Sequence, residues 1–314
     1  MALEGSQLDS RSSPVFFGGH EMFPFRYGWL KKSIDAVSRE PAFFRSERAM
    51  IDLGVGKKMV QSIRYWSLAS QLMEQDRASR TSRGRFVPTE LGLRLFADDG
   101  FDPYMEDPAT LWLLHWLIVS NSTKATTWSW TFSYWNNIEF TKETILRGIR
   151  AWLTTHGYNS ISEELLKRDV DCFVRTYTKG RQSKKVILED SLDCPLVDLN
   201  LISELSDGRT YQFQRGPQLS LPNEVFAFAL LEFWRGTNNQ SNTLAFAKIA
   251  HDPQSPGRVF KLDEDSLASR LELLEKLTRG AIYYDETAGL KQVLKRSESN
   301  PIDLLKDYYR VRAI

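Results

Sequence analysis

The sequence predicts a mostly α-helical protein with small β-wings, and three observations lead there. Apolar residues recur at helical spacing through much of the chain. Between Phe44 and Phe96 a short helical pattern, a glycine turn, a longer helical pattern and an arginine-rich loop follow one another. After residue 236 a similar order of helix, helix and hairpin returns, in pattern and not in residues. Together these predict tandem winged-helix-like modules around a helical middle region.

The expected division is a flexible tail at 1–15, a winged-helix DNA-binding-like domain at 16–105, a helical, aromatic-rich middle domain at 106–235 and a C-terminal winged-helix-like domain at 236–314. The tail, MALEGSQLDSRSSPV, is polar and lacks the apolar middle of a signal peptide. Apolar residues make up 42% of the chain and charged residues 26%, an ordinary globular balance. The longest apolar run, LWLLHWLIV at 111–119, falls well short of the roughly 18–20 residues a membrane helix needs. A cytoplasmic protein without a membrane partner is expected. Cys172 and Cys194 form no CxxC pair, so two buried, reduced thiols are expected. Histidines at 20, 115, 156 and 251 give no zinc spacing, and neither a metal nor a cofactor is expected.

The first helix is predicted at Tyr27–Arg39, with Leu30, Ile34 and Val37 on one face and Pro41 ending it. Residues 45–53 form a short second helix that Gly54 closes as a left-handed cap. A third begins at Lys57 and runs through KKMVQSIRYWSLASQLMEQ, with Met59, Ile63, Trp66 and Met73 facing inward. In the middle, five tryptophans at 112, 116, 128, 130 and 135 read as core, because Leu111, Leu114, His115 and Ile118 show helical periodicity. Helices are expected at Lys142–Thr155 and Ser162–Arg175. The last unit reads as a helix near Thr243–His251, an extended GRVFKL, a helix at Glu264–Arg279 capped by Asp263, and a hairpin around AIYYD and Gly289.

Charge singles out the third helix and its loop. From Lys57 to Arg94 eight Lys or Arg face three acids, an excess of five on a chain whose net charge is +1. A local basic patch governs phosphate binding more than the total does. Lys57, Lys58, Gln61, Arg64 and Tyr65 are assigned to a polar face fit to read a major groove, and Arg80, Arg83 and Arg85 to a wing on the backbone. A second basic loop, with Lys179, Arg181, Lys184 and Lys185, is either another backbone contact or a solvated loop. The predicted helix at 264–279 carries Glu264, Asp265, Glu272 and Glu275 against Arg270 and Lys276, so phosphate would repel it.

Catalytic signals are weak. GVGKK at 54–58 fails the Walker pattern at Ile51 and Lys58. His20, Glu21 and Arg26 could perform acid–base chemistry, but they also fit a glycine turn whose polar groups bond a helix start. Asp169-x-Asp171 reads as helix surface. Asp190 and Asp193 beside Cys194 disfavour its thiolate.

The runs FFGGHEMFPFRYGWLKKSIDAV and AMIDLGVGKKMVQSIRYW, with RDVDCFVRTY, LDCPLVDLNLI, SPGRVFKLDEDSLASRLELLE and YYDETAGLKQV, resemble the bacterial domain-of-unknown-function family 4007 from Phe16 onward. Members of that family are found with genes for DNA phosphorothioate modification. The resemblance implies an accessory to that modification or its linked defence, working beside a cysteine desulfurase, a reductase-like sulfurtransferase and an ATPase. It carries over no catalytic residues. The leading expectation is a non-enzymatic subunit that grips double-stranded DNA. The alternatives are a nickase or sulfur-transfer partner centred on His20 and Glu21 or on Cys194, and a protein-interaction scaffold that does not touch DNA.

Overall fold

The structure is a computed structural model that describes residues 14–77, 83–179, 194–237 and 241–312. About half of the chain is helical, and the described strands form three small antiparallel sheets of two or three strands.

The first stretch holds α1 (Trp29–Arg39), α2 (Ala49–Leu53), α3 (Lys57–Ala69), β1 (Met73–Gln75), β2 (Phe86–Pro88) and α4 (Glu90–Phe96). Leu30, Ile34 and Val37 are buried along α1 as the periodicity predicts. Gly54 closes α2 at φ 68, a conformation that a side chain would strain. The third helix is shorter than its sequence pattern. It stops at Ala69 because Gln71 adopts φ 58 and donates its side-chain amide to the Leu117 carbonyl at 2.8 Å. Met73, expected on that helix, is instead the first residue of β1, where it is buried.

The middle holds α5 (Pro108–Ser120), α6 (Thr126–Tyr134), β3 (Glu139–Thr141), α7 (Lys142–Thr155), α8 (Glu163–Tyr177), β4 (Ile202–Glu204) and β5 (Thr210–Phe213). Asp107 caps α5, Thr141 makes a capping box on α7, and Ser162 caps α8. Helix α5 is apolar all round and buried on every side, which makes it the spine of the molecule. Trp112, Trp116, Trp128 and Trp130 are core residues and Trp135 packs against them.

The last stretch holds α9 (Asn223–Thr237), β6 (Thr243–Ala245), α10 (Phe246–His251), α11 (Pro256–Val259), α12 (Glu264–Glu272), α13 (Leu274–Leu277), β7 (Ile282–Thr287), β8 (Leu290–Lys295) and α14 (Pro301–Arg312). The segment expected to be extended, GRVFKL, forms α11 and then turns at Lys261, whose φ is 52. The single helix expected at 264–279 is two, broken at Leu273. Asp263 caps α12 by accepting from the Ser266 amide at 2.7 Å.

Strand order repeats. The middle sheet runs β3-β5-β4 and the last β6-β8-β7, so in each the strand before the helices pairs with the second strand of the following hairpin. The middle region, expected to be helical, therefore shares its sheet topology with the C-terminal unit. One hydrophobic core runs through all three stretches. Thr110 at the start of α5 ties them further, through Asp102 at 2.5 Å and Tyr309 of α14 at 2.7 Å.

Candidate nucleic-acid interface

Helix α3 presents Lys57 and Lys58 to solvent, with Gln61 and Arg64 half-buried one and two turns on. The helix contains no acid, and among the described residues none of these three cations forms an ion pair. Gly56, the residue before the helix, is extended and offers no side-chain cap, so the first-turn amides remain available. An exposed helix face with uncompensated cations is suited to phosphate oxygens.

Tyr65 does not belong to that face. It is buried, and its hydroxyl donates to the Lys124 carbonyl at 3.0 Å. Burial, then the nearby Asp169 and Cys172, push its pKa up, so the phenol keeps its proton. The assignment failed because α3 is covered on two sides. Helix α1 lies against one side, and His20 and Trp128 pack against Tyr65 and Trp66 on another. The apolar arc is wider than a single stripe.

In the wing, Asp76 and Arg85 face each other across the hairpin. The Asp76 amide donates to the Arg85 carbonyl at 3.0 Å, and the Arg85 guanidinium meets the Asp76 carboxylate at 3.2 Å. Arg83 is exposed and makes no ion pair among the described residues. The wing's net charge is therefore lower than a count of arginines suggests. Arg80 lies outside the described residues, as do Arg181, Lys184 and Lys185; Lys179 is exposed just beyond α8.

His20 lies in the core and is fully buried. Its Nε2 stands 2.9 Å from Oδ1 of Asp169, and its Nδ1 accepts from the Met22 amide at 3.0 Å. Burial works against the imidazolium, while Cys172 and Asp169 favour it, for a net upward push. An imidazolium would need a proton on Nδ1, where the Met22 amide already points. This geometry selects the neutral ring, with its proton on Nε2 and donated to Asp169. Asp169 also accepts from the Gly18 amide at 2.6 Å and the Thr127 hydroxyl at 3.0 Å. Instead of lying on a helix surface, this carboxylate is a buried pin joining the N-terminal segment to α6 and α8. Gly19 is required beside it, since a Cβ there would sit 2.4 Å from the Tyr65 ring.

Glu21 follows at φ 50, half-buried, and Arg26 lies over the Trp29 ring at 5.5 Å. The three residues considered for acid–base work thus split, with the histidine sealed from solvent. His115 is buried too, with Nε2 2.9 Å from the Val259 carbonyl and Nδ1 2.8 Å from the Tyr177 hydroxyl. Burial drops its pKa to about 3. Cys172 and Cys194 are buried thiols, and burial pushes Cys172 up.

Arg270, one of the charges of the predicted acidic helix, is buried. Its guanidinium donates to the carbonyls of Leu221, Pro217 and Gln218 and to Oδ1 of Asn223, all within 2.9 Å. The exposed face of α12 is accordingly more acidic than its sequence reads. A long-range fold contact is the only signal that separates Arg270 from the other arginines.

No curated protein matches this sequence. Solved structures are similar to it. A magnesium ion-bound SspB crystal structure shares 29% identity at a TM-score of 0.85, covering 96% of this chain and 88% of that one. An SspB crystal structure shares the same identity and coverage at a TM-score of 0.83. The match to the family described as "Protein of unknown function (DUF4007)" spans residues 17–309, nearly the whole chain, and the protein belongs to that family.

Proposed function

We propose that this protein is a DNA-binding accessory subunit that grips duplex DNA through α3 and the adjoining wing. The observation that carries the reading is the solvent side of α3, where exposed Lys57 and Lys58 and half-buried Arg64 stand on a helix without an acid and make no ion pair among the described residues. The strand orders β3-β5-β4 and β6-β8-β7 support winged-helix-like modules in the middle and C-terminal units, while the wing beside α3 is the two-stranded hairpin β1-β2. The setting in DNA phosphorothioate modification or its linked defence, beside a desulfurase, a sulfurtransferase and an ATPase, rests on the family resemblance. A cytoplasmic location goes with that setting.

The test is fluorescence anisotropy of a labelled duplex, in plain and phosphorothioated versions, at several salt concentrations. Each phosphate contact releases condensed counterions, so affinity should fall steeply with salt. Replacing Lys57, Lys58 and Arg64 by Gln should flatten that slope by up to about three. No binding at low salt, or an unchanged slope in the variant, would overturn the reading and favour a protein scaffold.

The nickase alternative has one supporting observation, that a similar structure is described as magnesium ion-bound. Among the described residues no group of three His, Cys, Asp or Glu side chains is set to hold a metal, so no ligand is assigned here. Asp169 is already engaged by three donors. No step is assigned to an ion, and a nicking base would have to be a residue other than the buried His20. Supercoiled plasmid incubated with magnesium discriminates, with nicking by wild type as the outcome that revives this alternative.

A further inference from the structure

Three cations meet where β5 of the middle unit, α6, and the α11 segment of the last unit come together. Arg215 follows β5 and anchors its Nε on the Leu262 carbonyl at 3.2 Å. Arg258 on α11 anchors its Nε on the His251 carbonyl at 2.6 Å. The Lys261 Nζ lies 4.2 Å from the centre of the Phe213 ring, 5.1 Å from that of Phe132 and 3.4 Å from the Phe132 carbonyl. The Gly216 amide donates to the Lys261 carbonyl at 3.0 Å, which holds the strand end and the turn together. The loop before α11 is fastened to α6 by Gln254, whose amide donates to Ser133 Oγ at 3.0 Å.

Among the described residues none of these three cations has an ion-pair partner. Asp252 and Asp263 lie within electrostatic reach, and both are engaged elsewhere. Asp252 faces Lys248 at 3.7 Å, and Asp263 caps α12. Both guanidinium groups use Nε for the fold, which leaves their terminal nitrogens as forks. Tyr134 lies beside Arg258 with its ring half-exposed, and burial lifts its pKa, so the hydroxyl remains a donor. Like charges gathered at a partly desolvated seam are unfavourable unless an anion joins them. The consequence is visible at Lys261, which burial and then Arg258 and Arg215 bring down to about 7.

We propose that Arg215, Arg258 and Lys261 form a phosphate-binding site at the seam between the middle and C-terminal units. A phosphoryl group fits better than a lone carboxylate, because its oxygens can meet two arginine forks at once beside the charge of Lys261. The source of that phosphate is either a free phosphoryl ligand or the backbone of a nucleic acid. The site is separate from α3 and does not rest on the DNA-gripping reading of that helix.

The experiment uses the full chain. Inorganic phosphate is titrated by calorimetry at constant ionic strength in a non-phosphate buffer, and a labelled duplex by anisotropy. Wild type is compared with Arg258→Gln, Arg215→Gln and Lys261→Met. Arg215 is exposed, so its variant should fold as wild type does, and Lys261→Met keeps an apolar stem over the two rings. The expected result is a loss of about tenfold or more in affinity for at least one probe in each variant. Loss confined to inorganic phosphate identifies a free phosphoryl ligand; loss with the duplex identifies a backbone contact. Variants that bind both probes as wild type does, or a wild type that binds neither, would overturn the proposal. Phosphate binding that survives the α3 substitutions would keep this site distinct from the fate of the DNA reading.

Discussion

The two ends of the molecule are opposites in charge, inside and out. At the N-terminal end the exposed α3 is basic, while the buried charge that fastens the unit is an anion, Asp169, taking three donors. At the C-terminal end the exposed α12 is acidic, while the buried charge is a cation, Arg270, giving to four acceptors. Each interior charge is satisfied by dipoles and hydrogen-bonding groups instead of by a full counter-ion. The difference teaches that a helix's net charge is a poor guide to its surface when one charged residue is structural. Removing Arg270 from the tally leaves α12 facing solvent with Glu264, Asp265 and Glu272. Charge count and charge display separate.

The largest expected effect comes from breaking the interior anion. Asp169→Ala leaves the Gly18 amide, the His20 Nε2 proton and the Thr127 hydroxyl without an acceptor, at about 1–3 kcal/mol for each buried group left unmade. Urea melts should register a loss of at least about 3 kcal/mol, and a loss under about 1 kcal/mol would mean the pin is not structural. Arg270→Met should cost less, about 2–3 kcal/mol, since carbonyls tolerate lost partners better than amides do. Arg270→Lys should not rescue it, because an ammonium cannot spread over four acceptors as a planar fork does.

Next in size is a pH effect at the seam. The folded pKa of Lys261, about 7, lies below its unfolded value near 10.5, so the folded state resists the proton that the unfolded chain holds. The cost is full below pH 7 and is relieved as pH rises from 7 towards 10.5. The Lys261→Met protein should therefore be more stable than wild type at pH 6. That advantage should shrink by up to about 2 kcal/mol between pH 7 and 9 in paired melts. A pH-independent difference would contradict the burial of the ammonium.

Converting one helix to the chemistry of the other tests the surface half of the comparison. Asp265→Lys with Glu272→Lys should make α12 attractive to a duplex and steepen the salt slope of binding by about one or more. A duplex that ignores the change would mean that α12 cannot reach the backbone, whatever its charge. The smallest effect belongs to the wing. Arg83→Ala should lower the salt slope by about one at most, and Arg85→Ala by less, because the Asp76 carboxylate already pairs with that guanidinium. Equal behaviour of the two would argue against the Arg85–Asp76 pairing in solution.

Much of the framework was legible in advance. Helices α1, α7 and α8 fall within two residues of their expected ends, and the tryptophans of α5 and α6 are core as the helical periodicity around them implies. The turn between β7 and β8 is also local chemistry, with Ala288 at φ 52 and Gly289 at φ 80. What escaped depends on partners distant in sequence. Gln71 ends the third helix through the carbonyl of Leu117. Tyr65 turns inward because a second element covers its side of α3. The exposed basic residues Lys57 and Lys58 were legible, whereas the pairing of Arg85 and the burial of His20 were not.

Local spacing determined the helix starts, the apolar stripes and the basic bias around α3, because these depend on residues within one or two turns of each other. Tertiary structure alone decided which charges are interior. Asp169 and Asp171 differ by two positions on α8; the first is sealed beneath Gly18, His20 and Thr127, and the second meets Lys142 at 2.7 Å near the surface. Arg215 and Lys261 lie far apart in sequence and become neighbours only when β5 packs against the turn after α11. A charge acquires its role from the dielectric around it and the partners within reach, and the folded chain sets both.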